Sequence, residues 1–277
     1  MMRLFDRVTI VGTGLIGGSL ALAIKKKGLA CEVFGVSRHR NTLLLAKKSG
    51  AIDKGSEHLG IIKGSDLVIL ATPVNTILNL AKEIAGLIPR GCIVTDVGST
   101  KQEIVSCLSK IFPNYVGSHP LAGSEKRGIK NACPGMFEES LCILTPTRNT
   151  NPKALRKIKI LWNELGAKVI FLQPDTHDRI LSFVSHLPHA LAFSLIDIIP
   201  PGYLKFGANS LKDTTRIALS DSQLWADIFL SNPRNISRAI ELFQKNLSRI
   251  KSAINKKDKK LLTSILKKAK AKRDSLS

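Results

Sequence analysis

Three glycines near the N-terminus have the spacing of a turn that holds a phosphate group. Gly12, Gly14 and Gly17 stand between an apolar run typical of a strand and a pattern typical of a helix. The first allows a tight turn, the second lets the backbone approach a pyrophosphate, and the third allows close packing of helix on strand. Leu15 and Ile16 open that helix, whose N-terminus attracts anions. We therefore predict a dinucleotide-binding turn; a glycine-rich turn without a ligand is the alternative.

The residues after the second predicted strand indicate which dinucleotide binds. Where NAD enzymes usually carry an acid that accepts hydrogen bonds from the ribose hydroxyls, this chain has Ser37. Arg38, His39 and Arg40 follow at once. A guanidinium group suits a ribose 2′-phosphate, which a carboxylate would repel. The turn predicts NADP as the cofactor, with a basic surface turn as the alternative.

A histidine follows a later strand, where it could take part in proton transfer. His119 lies in Gly-Ser-His-Pro-Leu-Ala-Gly-Ser-Glu, whose proline and glycine fix the backbone. Because histidine exchanges a proton near neutral pH, it suits an enzyme that removes an alcohol proton while hydride leaves the adjacent carbon. A lone histidine is more often structural, but this one lies beside Ser124 and Glu125. Thr72 and Pro73 follow another strand, and we expect them to line the ribose and nicotinamide path or to form an ordinary loop.

These side chains require strands that end at a common edge of a sheet. From Val8 to Leu172, short apolar runs alternate with amphipathic stretches, a pattern typical of parallel strands joined by helices. The predicted strands are Arg7–Val11, Cys31–Val36, Asp66–Ala71, Cys92–Asp96, Tyr115–Gly117, Leu141–Thr145 and Lys168–Leu172. The predicted helices are Ile16–Lys27, Thr42–Lys48, Val74–Leu87, Lys101–Lys110 and Pro152–Leu165. The pattern predicts an α/β Rossmann-type domain over residues 1–172.

After residue 172 the β-branched runs vanish and helical spacing takes over, which predicts an all-α domain over residues 173–277. The expected helices are Asp178–Ile199, Lys212–Ala218, Ser222–Leu230, Pro233–Asn255 and Lys257–Lys272. The first of them is apolar nearly all round, so it must be buried. A second subunit would help to bury it, and we expect a homodimer.

The composition bounds the class of protein. The chain has 277 residues, of which 44% are apolar, and this suits two globular domains. The net charge of +21 could attract nucleic acid, but the lysine-rich segment after Phe243 has no aromatic residue on which bases could stack. The five cysteines form no CxxC pair, and we expect reduced thiols and no metal site. For lack of such aromatic residues, we expect no binding of nucleic acid. Because the apolar run near the N-terminus is broken by glycines, we expect a cytoplasmic protein that does not bind membranes.

Six motifs in order resemble one enzyme family. GTGLIGGSLA, ATPV, TDVGSTK, GSHPLAGSE, SHLPHALAF and KDTTRIA are similar to the prephenate/arogenate dehydrogenase family of tyrosine biosynthesis, over roughly Val8 to Asn232. The turn from Gly35 to Arg38 further resembles the NADP-using arogenate dehydrogenases of cyanobacterial and plant type. The resemblance implies that hydride passes from the ring carbon bearing the hydroxyl to NADP and that carbon dioxide leaves. L-arogenate would thereby become L-tyrosine.

The resemblance also implies roles for individual residues. His119 would accept the hydroxyl proton, and Ser99 would hold the same hydroxyl and the histidine near the nicotinamide. Arg216 matches the arginine that binds the substrate carboxylate, although an arginine on an amphipathic helix is usually a surface residue.

Four other residues complete the predicted substrate pocket. His189, in an otherwise apolar helix, would contact the substrate or be a core histidine with a partner. Ser124 and Glu125 would gate or line the pocket, and Asp213 could favour the ammonium group of arogenate. Trp225 is expected to be a core or dimer anchor rather than a ligand contact.

Three alternatives stay open. Prephenate oxidised with NAD, or with either nucleotide, would give 4-hydroxyphenylpyruvate, since the two substrates differ only in a keto or an ammonium group. A β-hydroxyacid or pyrroline-carboxylate reductase on the same architecture is disfavoured by HPLAGSE and SHLPHA. A redox-sensing module that uses the lysine-rich tail on a partner would share the fold but would not need His119, Ser99 and Arg216 together.

Overall fold

One eight-stranded sheet forms the first part of the computed structural model, which describes residues 3–123 and 126–276. The strands are β1 (Phe5–Val11), β2 (Ala30–Val36), β3 (Lys54–Ser56), β4 (Leu67–Leu70), β5 (Ile93–Asp96), β6 (Tyr115–Pro120), β7 (Leu141–Leu144) and β8 (Lys168–Phe171). Their order is β3-β2-β1-β4-β5-β6-β7-β8. All seven predicted strands are present, with ends that differ by up to three residues.

The sheet differs from the sequence prediction in two places. The short edge strand β3 was not predicted, because its three residues around Gly55 form no apolar run. The prediction of parallel strands throughout is wrong at β7, which runs antiparallel to β6, whereas β8 is parallel to β7. A parallel neighbour needs a crossover connection, usually a helix. Within residues 121–123 and 126–140 the connection contains only the 3-10 turn Ile129–Asn131.

Helices cover both faces of the sheet, as the predicted Rossmann-type architecture requires. They are α1 (Leu15–Lys26), α2 (Arg40–Lys48), α3 (Val74–Ile84), α4 (Gln102–Ile111) and α5 (Pro152–Glu164). Alternate strand residues point to opposite faces, so Ile10 packs in the core with Leu20 and Trp162 while Val11 packs with Leu108. Because β1, β4, β5 and β6 are parallel neighbours, the turns that follow them lie along one edge.

The second part of the chain is helical, as predicted. Its helices are α6 (Pro174–Leu181), α7 (Leu187–Asp197), α8 (Asn209–Thr215), α9 (Ser222–Ser231), α10 (Pro233–Asn255) and α11 (Lys259–Asp274). Strand β8 ends two residues before the first of these helices begins at Pro174. The domain boundary after residue 172 stays a prediction.

The predicted single helix Asp178–Ile199 is interrupted. A π-helical turn, Ser182–His186, separates α6 from α7, and the Leu187 N–H bonds to the Ser182 carbonyl five residues earlier. The widened turn ends two residues before Pro188, which has no N–H to donate and whose ring would crowd the carbonyl four residues before it. Such turns occur often at functional sites. The predicted helix Lys212–Ala218 also ends early, so Arg216 begins a 3-10 turn instead.

In a single chain, the apolar segment Asp178–Ile199 is not buried on all sides, so this prediction is wrong for one chain by itself. Val184 is 64% exposed and Ile198 is 72% exposed. Pro174–Asp197 is long and apolar enough to cross a bilayer by length and composition, and 22% of its most apolar window is buried. Its buried residues include His177 and Asp178, which pack against the sheet-bearing part. One side of the segment therefore carries the site, and the other is an uncovered apolar surface.

Candidate active site

The glycine turn has the shape of a phosphate cradle. Gly12 has φ +99°, and a Cβ there would lie 2.5 Å from the carbonyl oxygen of Ala71. A Cβ on Gly17 would lie 1.9 Å from the Gly12 carbonyl oxygen. A Cβ on Gly14 would meet no atom within 4 Å, so open space lies over that residue. Helix α1 begins at Leu15 without a capping side chain or an acid in its first turn, which leaves its N-terminal amides for an anion. The cradle fits the pyrophosphate of a dinucleotide.

Two buried hydroxyls next to the cradle lack partners. The Oγ1 atoms of Thr13 and Thr72 form no hydrogen bond within the described residues. A buried hydroxyl normally has a partner, so these two are candidates for ligand contacts. Thr72 also lies against Gly12, since its Cγ2 would be 2.8 Å from a Cβ there. Pro73 is exposed and directly precedes helix α3.

The turn after β2 presents basic side chains. Arg38, His39 and Arg40 are exposed, and the half-buried Ser37 Oγ accepts a hydrogen bond from the His39 N–H at 3.2 Å. The residue at the position of the usual acid is thus engaged with its own turn. The two guanidinium groups form no ion pair with a described residue, which leaves both able to bind an anion.

His119 forms a buried chain of hydrogen bonds that crosses between the two parts of the molecule. Its Nδ1 lies 2.8 Å from Nε2 of His177 on α6. The Nδ1 of His177 lies 2.7 Å from Oδ1 of Asp178. Asp178 in turn accepts hydrogen bonds from the N–H groups of Lys101 (2.7 Å) and Gln102 (2.9 Å), at the N-terminus of α4. The negative carboxylate therefore sits where the helix dipole stabilises it.

Burial keeps His119 and His177, the two histidines joined by this hydrogen bond, neutral. It lowers the pKa of His119 well below the usual histidine range, and the positive charge of Lys101 acts in the same direction. It also lowers the pKa of His177, against the opposing effect of Asp178. A histidine that is neutral at physiological pH can accept a proton, which is the chemistry predicted for His119.

A buried ion pair holds the turn after β5. Asp96 Oδ2 accepts hydrogen bonds from the Lys101 ammonium at 2.6 Å and from the Gly98 N–H at 2.8 Å. Its Oδ1 accepts one from the Tyr115 hydroxyl at 2.7 Å. Burial raises the pKa of Tyr115, and the negative charge of Asp96 raises it further. The phenol therefore keeps its proton and remains a hydrogen-bond donor. These bonds fix both ends of the turn that carries the half-buried Ser99.

His189 stacks on Trp225. The ring centroids are 3.5 Å apart with an interplanar angle of 20°. The His189 Nδ1–H donates to the Ser185 carbonyl at 2.9 Å, which leaves the Nε2 lone pair available. Burial lowers the pKa of His189 against the opposing effect of the hydrogen bond to Ser185, and the positive charge of Arg216 lowers it further. Trp225 is buried, as expected, but it also shapes this side of the site.

The structure brings together only part of the predicted set. Ser99 lies on the correct turn, but its hydroxyl forms no hydrogen bond to a described residue. Arg216 and Asp213 are exposed side chains. Ser124 and Glu125 lie outside the described residues. No group of three or more His, Cys, Asp or Glu side chains that could hold a metal ion occurs in the part of the chain described.

Two residues of the site were missed by sequence reasoning. His177 and Asp178 lie in Pro-Asp-Thr-His-Asp-Arg, at the beginning of the predicted helix Asp178–Ile199, and the sequence pattern predicts no role for either. The available signal was an adjacent histidine and aspartate directly before a long apolar stretch, since polar groups that are buried need partners. Their partners belong to the sheet-bearing part, so only the packing of the helical part on the sheet identifies them.

Comparison with known families matches both parts of the chain. Residues 20–171 match the family described as "Prephenate dehydrogenase, nucleotide-binding domain". Residues 173–268 match the one described as "Prephenate dehydrogenase, dimerization domain".

Individual proteins agree with the family match. The prephenate dehydrogenase of Bacillus subtilis is 34% identical over 287 residues, covering 100% of this chain and 77% of that protein. The crystal structure of prephenate dehydrogenase from A. aeolicus in complex with hydroxyphenyl propionate and NAD+ has a TM-score of 0.94 and 36% identity, covering 98% of each chain. The structure of Synechocystis arogenate dehydrogenase has a TM-score of 0.84 and 26% identity, covering 98% of this chain and 100% of that one.

Two alanine substitutions distinguish the roles of the cradle glycines. Gly14→Ala should leave the free energy of unfolding within about 0.5 kcal/mol, because the new methyl group meets no atom. It should weaken dinucleotide binding at least about tenfold, because the pyrophosphate must approach the backbone there. Gly17→Ala should destabilise the fold by about 1–3 kcal/mol or more, because its Cβ would overlap a backbone oxygen. Urea unfolding and fluorescence titration with NADPH measure both quantities; normal binding by the Gly14 variant would contradict the assignment of the cradle.

Acid should destabilise the protein through its buried histidines. Burial lowers the pKa of His186 to about 4, whereas in the unfolded chain a histidine titrates at about 6.5. Between these values the unfolded chain binds more protons, so stability is full above about pH 6.5 and falls as the pH drops toward 4. His186→Gln should reduce the loss in unfolding free energy between pH 7 and pH 4.5 by about 2–3 kcal/mol. The exposed His58→Gln is the control, and equal losses in wild type and the His186 variant would refute this account.

Proposed function

This chain belongs to the prephenate dehydrogenase family, and we propose that it oxidises and decarboxylates prephenate with NADP as the hydride acceptor. It is an enzyme of the prephenate/arogenate dehydrogenase type, which serves tyrosine biosynthesis. The observation that carries the proposal is the neutral His119, buried at the same sheet edge as the glycine cradle. The names of the similar Bacillus and A. aeolicus proteins favour prephenate.

Arogenate is the second candidate substrate. The similar Synechocystis protein is an arogenate dehydrogenase, and the exposed Asp213 on α8 could pair with an ammonium group. The two substrates carry the same ring, ring hydroxyl and ring carboxylate. The roles of His119, Ser99 and Arg216 are therefore the same for either substrate.

The proposal of NADP rests on the turn after β2. Ser37 replaces the carboxylate that would repel a 2′-phosphate, and its hydroxyl is bonded within the turn. Arg38 and Arg40 are exposed on both sides of His39. A guanidinium–phosphate contact is charge-assisted and can be bidentate, which favours the phosphorylated nucleotide. The A. aeolicus structure contains NAD+, and NAD is therefore the alternative cofactor.

In the proposed reaction each polar group has one task. A dinucleotide held by Gly12, Gly14 and Gly17 would supply the acceptor for the hydride of the ring carbon that carries the hydroxyl. His119 accepts the hydroxyl proton, and Ser99 orients that hydroxyl. Arg216 binds a carboxylate of the substrate, and its positive charge lowers the pKa of His189, which also keeps that ring neutral. Loss of carbon dioxide then leaves an aromatic phenolate, which takes the proton back from His119, and the gain of aromaticity prevents reversal.

We further propose that the enzyme is a homodimer. The helical part matches a family described as a dimerization domain. Val184 and Ile198 on the central apolar segment are strongly exposed in one chain, and so is Phe206 nearby in sequence. A second copy of this surface would cover them, because a two-fold interface uses the same patch on both subunits.

A four-way comparison of initial rates tests the reaction and the cofactor together. With prephenate and arogenate, each offered with NAD and NADP, we expect the highest kcat/KM for prephenate with NADP. Arg38→Ala should lower kcat/KM for NADP by about 10–100-fold and leave that for NAD within about twofold, because only the 2′-phosphate is lost as a partner. Arg148→Ala, at an exposed arginine after β7, is the matched control. A higher kcat/KM with NAD in the wild type would reject NADP, and a higher one with arogenate would reject prephenate.

The molecular mass in solution tests the dimer. Sedimentation equilibrium should give twice the chain mass of 30.2 kDa. Val184→Glu should shift the protein toward the monomer, because it places a charge in the covered patch. Leu44→Glu is the control, since Leu44 is 57% exposed but lies on α2 of the sheet-bearing part. A wild-type monomer, or a Val184 variant that stays dimeric, would contradict the proposal.

A further inference from the structure

We propose that His177 and Asp178 are positioning residues that hold His119 in the tautomer with a free Nε2 and stabilise the positive charge His119 gains when it accepts a proton. The inference rests on the proposed function, because it assigns a purpose to the neutral state of His119. It concerns where the protons of three buried side chains lie. The hydrogen-bond geometry determines these positions one after another.

The chain of protons starts at Asp178. Its Oδ1 and Oδ2 accept the N–H groups of Lys101 and Gln102, and these amides can only donate. An ionised carboxylate has no proton to give, and here it lies at a helix N-terminus that favours its charge. The Nδ1 of His177, 2.7 Å from Oδ1, must therefore carry a hydrogen and donate it.

The proton on His177 determines the one on His119. A neutral imidazole has one N–H and one lone pair, so protonation of His177 at Nδ1 leaves its Nε2 as an acceptor. The Nδ1 of His119 lies 2.8 Å from that Nε2 and must donate to it. His119 then keeps its lone pair on Nε2, where it can accept the proton of a substrate hydroxyl. The opposite tautomer would present a hydrogen to the substrate and could not act as a base.

Burial makes this arrangement exclusive. His177 is 0% exposed and Asp178 is 1% exposed, so water does not offer competing partners. Burial, and after it the positive charge of Lys101, lowers the pKa of His119, so the surroundings by themselves oppose a positive charge there. When the hydroxyl O–H bond breaks and an Nε2–H bond forms on His119, the new positive charge is bonded through His177 to the Asp178 carboxylate. That carboxylate offsets the cost of the charge in a dry site.

The two parts of the molecule contribute different members of this chain. His119 belongs to β6, whereas His177 and Asp178 belong to α6 of the helical part. The base is consequently in its working tautomer only when the helical part is packed on the sheet. Docking of the two parts and activation of the base are a single event in this arrangement.

Two substitutions of His177 separate orientation from simple loss of packing. Gln places a carbonyl oxygen near the position of Nε2 and can still accept the His119 hydrogen, whereas Asn reaches toward Asp178 but not toward His119. We expect His177→Asn to lower kcat about 100-fold or more and His177→Gln to stay within about tenfold of wild type. KM and dinucleotide Kd should change less than about twofold in both, and His119→Asn gives the rate without the base. Wild-type kcat in the Asn variant, or equal losses in both variants, would overturn the proposal.

The tautomers can also be observed without any variant or turnover. The chain has six histidines, so long-range proton–nitrogen NMR on protein labelled with ¹⁵N-histidine gives a small set of signals. Spectra of His119→Asn and His177→Gln assign two of them. We expect His119 and His177 both to carry hydrogen on Nδ1 at neutral pH. A hydrogen on Nε2 of His119 would overturn the proposal even if the enzyme turns over prephenate. Absence of turnover with the expected tautomers would instead reject only the proposed function.

Discussion

The carboxylate of Asp178 is the interaction on which the rest of the site depends. It accepts two amides at the N-terminus of α4 and the Nδ1–H of His177, so one charged group joins the sheet-bearing part, the helical part and the candidate base. Its position is stable because a helix N-terminus favours a negative charge. Asn232 adds a hydrogen bond from its side-chain amide to the backbone carbonyl of Asp178 at 2.8 Å. The sheet-bearing part thus holds the side chain of Asp178, and the helical part holds its backbone.

A buried ion pair lies directly beside this carboxylate. Asp96 and Lys101 have fully buried side chains, and Lys101 also supplies one of the amides that bind Asp178. Burial of an ion pair is rarely a net gain in stability, but removal of one partner commonly costs about 3–5 kcal/mol. The pair therefore makes the turn from Asp96 to Lys101 rigid rather than the fold more stable. A rigid turn suits the role proposed for Ser99, since a hydroxyl that orients a substrate must keep its position.

Helix α9 connects the two parts at a second place. The Asn75 side chain at the start of α3 donates to Asp227 at 2.8 Å, and the hydroxyls of Thr100 and Ser231 lie 3.0 Å apart. The same helix carries Trp225, which stacks on His189. Helix α9, which carries Trp225 on the proposed substrate side, is thus fixed to the segments that follow β4 and β5 on the proposed cofactor side. Exposed contacts such as the first contribute little energy each, and their effect here is on orientation.

The sequence by itself determined the Rossmann-type sheet, the cradle and the position of His119 at a strand end. Each of these depends on local spacing: glycines at Gly12, Gly14 and Gly17, apolar runs of strand length, and a histidine held by a following proline. Local spacing also predicted five helices on the sheet and the helical nature of the second part. It could not show that β7 runs antiparallel, because direction depends on the path of a long connection and not on the strand's own residues.

The tertiary structure alone decided which groups act on His119. His177 and Asp178 are 58 and 59 residues from it in the chain, and no local pattern relates residues so far apart. Their role arises because α6 packs its first turns against the N-terminus of α4, where fixed N–H donors hold the carboxylate. The burial of the exposed apolar segment around Val184 likewise depends on contacts with another surface and not on its own residues. A sequence specifies the groups that can do chemistry, but the pKa and tautomer of each group depend on its neighbours in space.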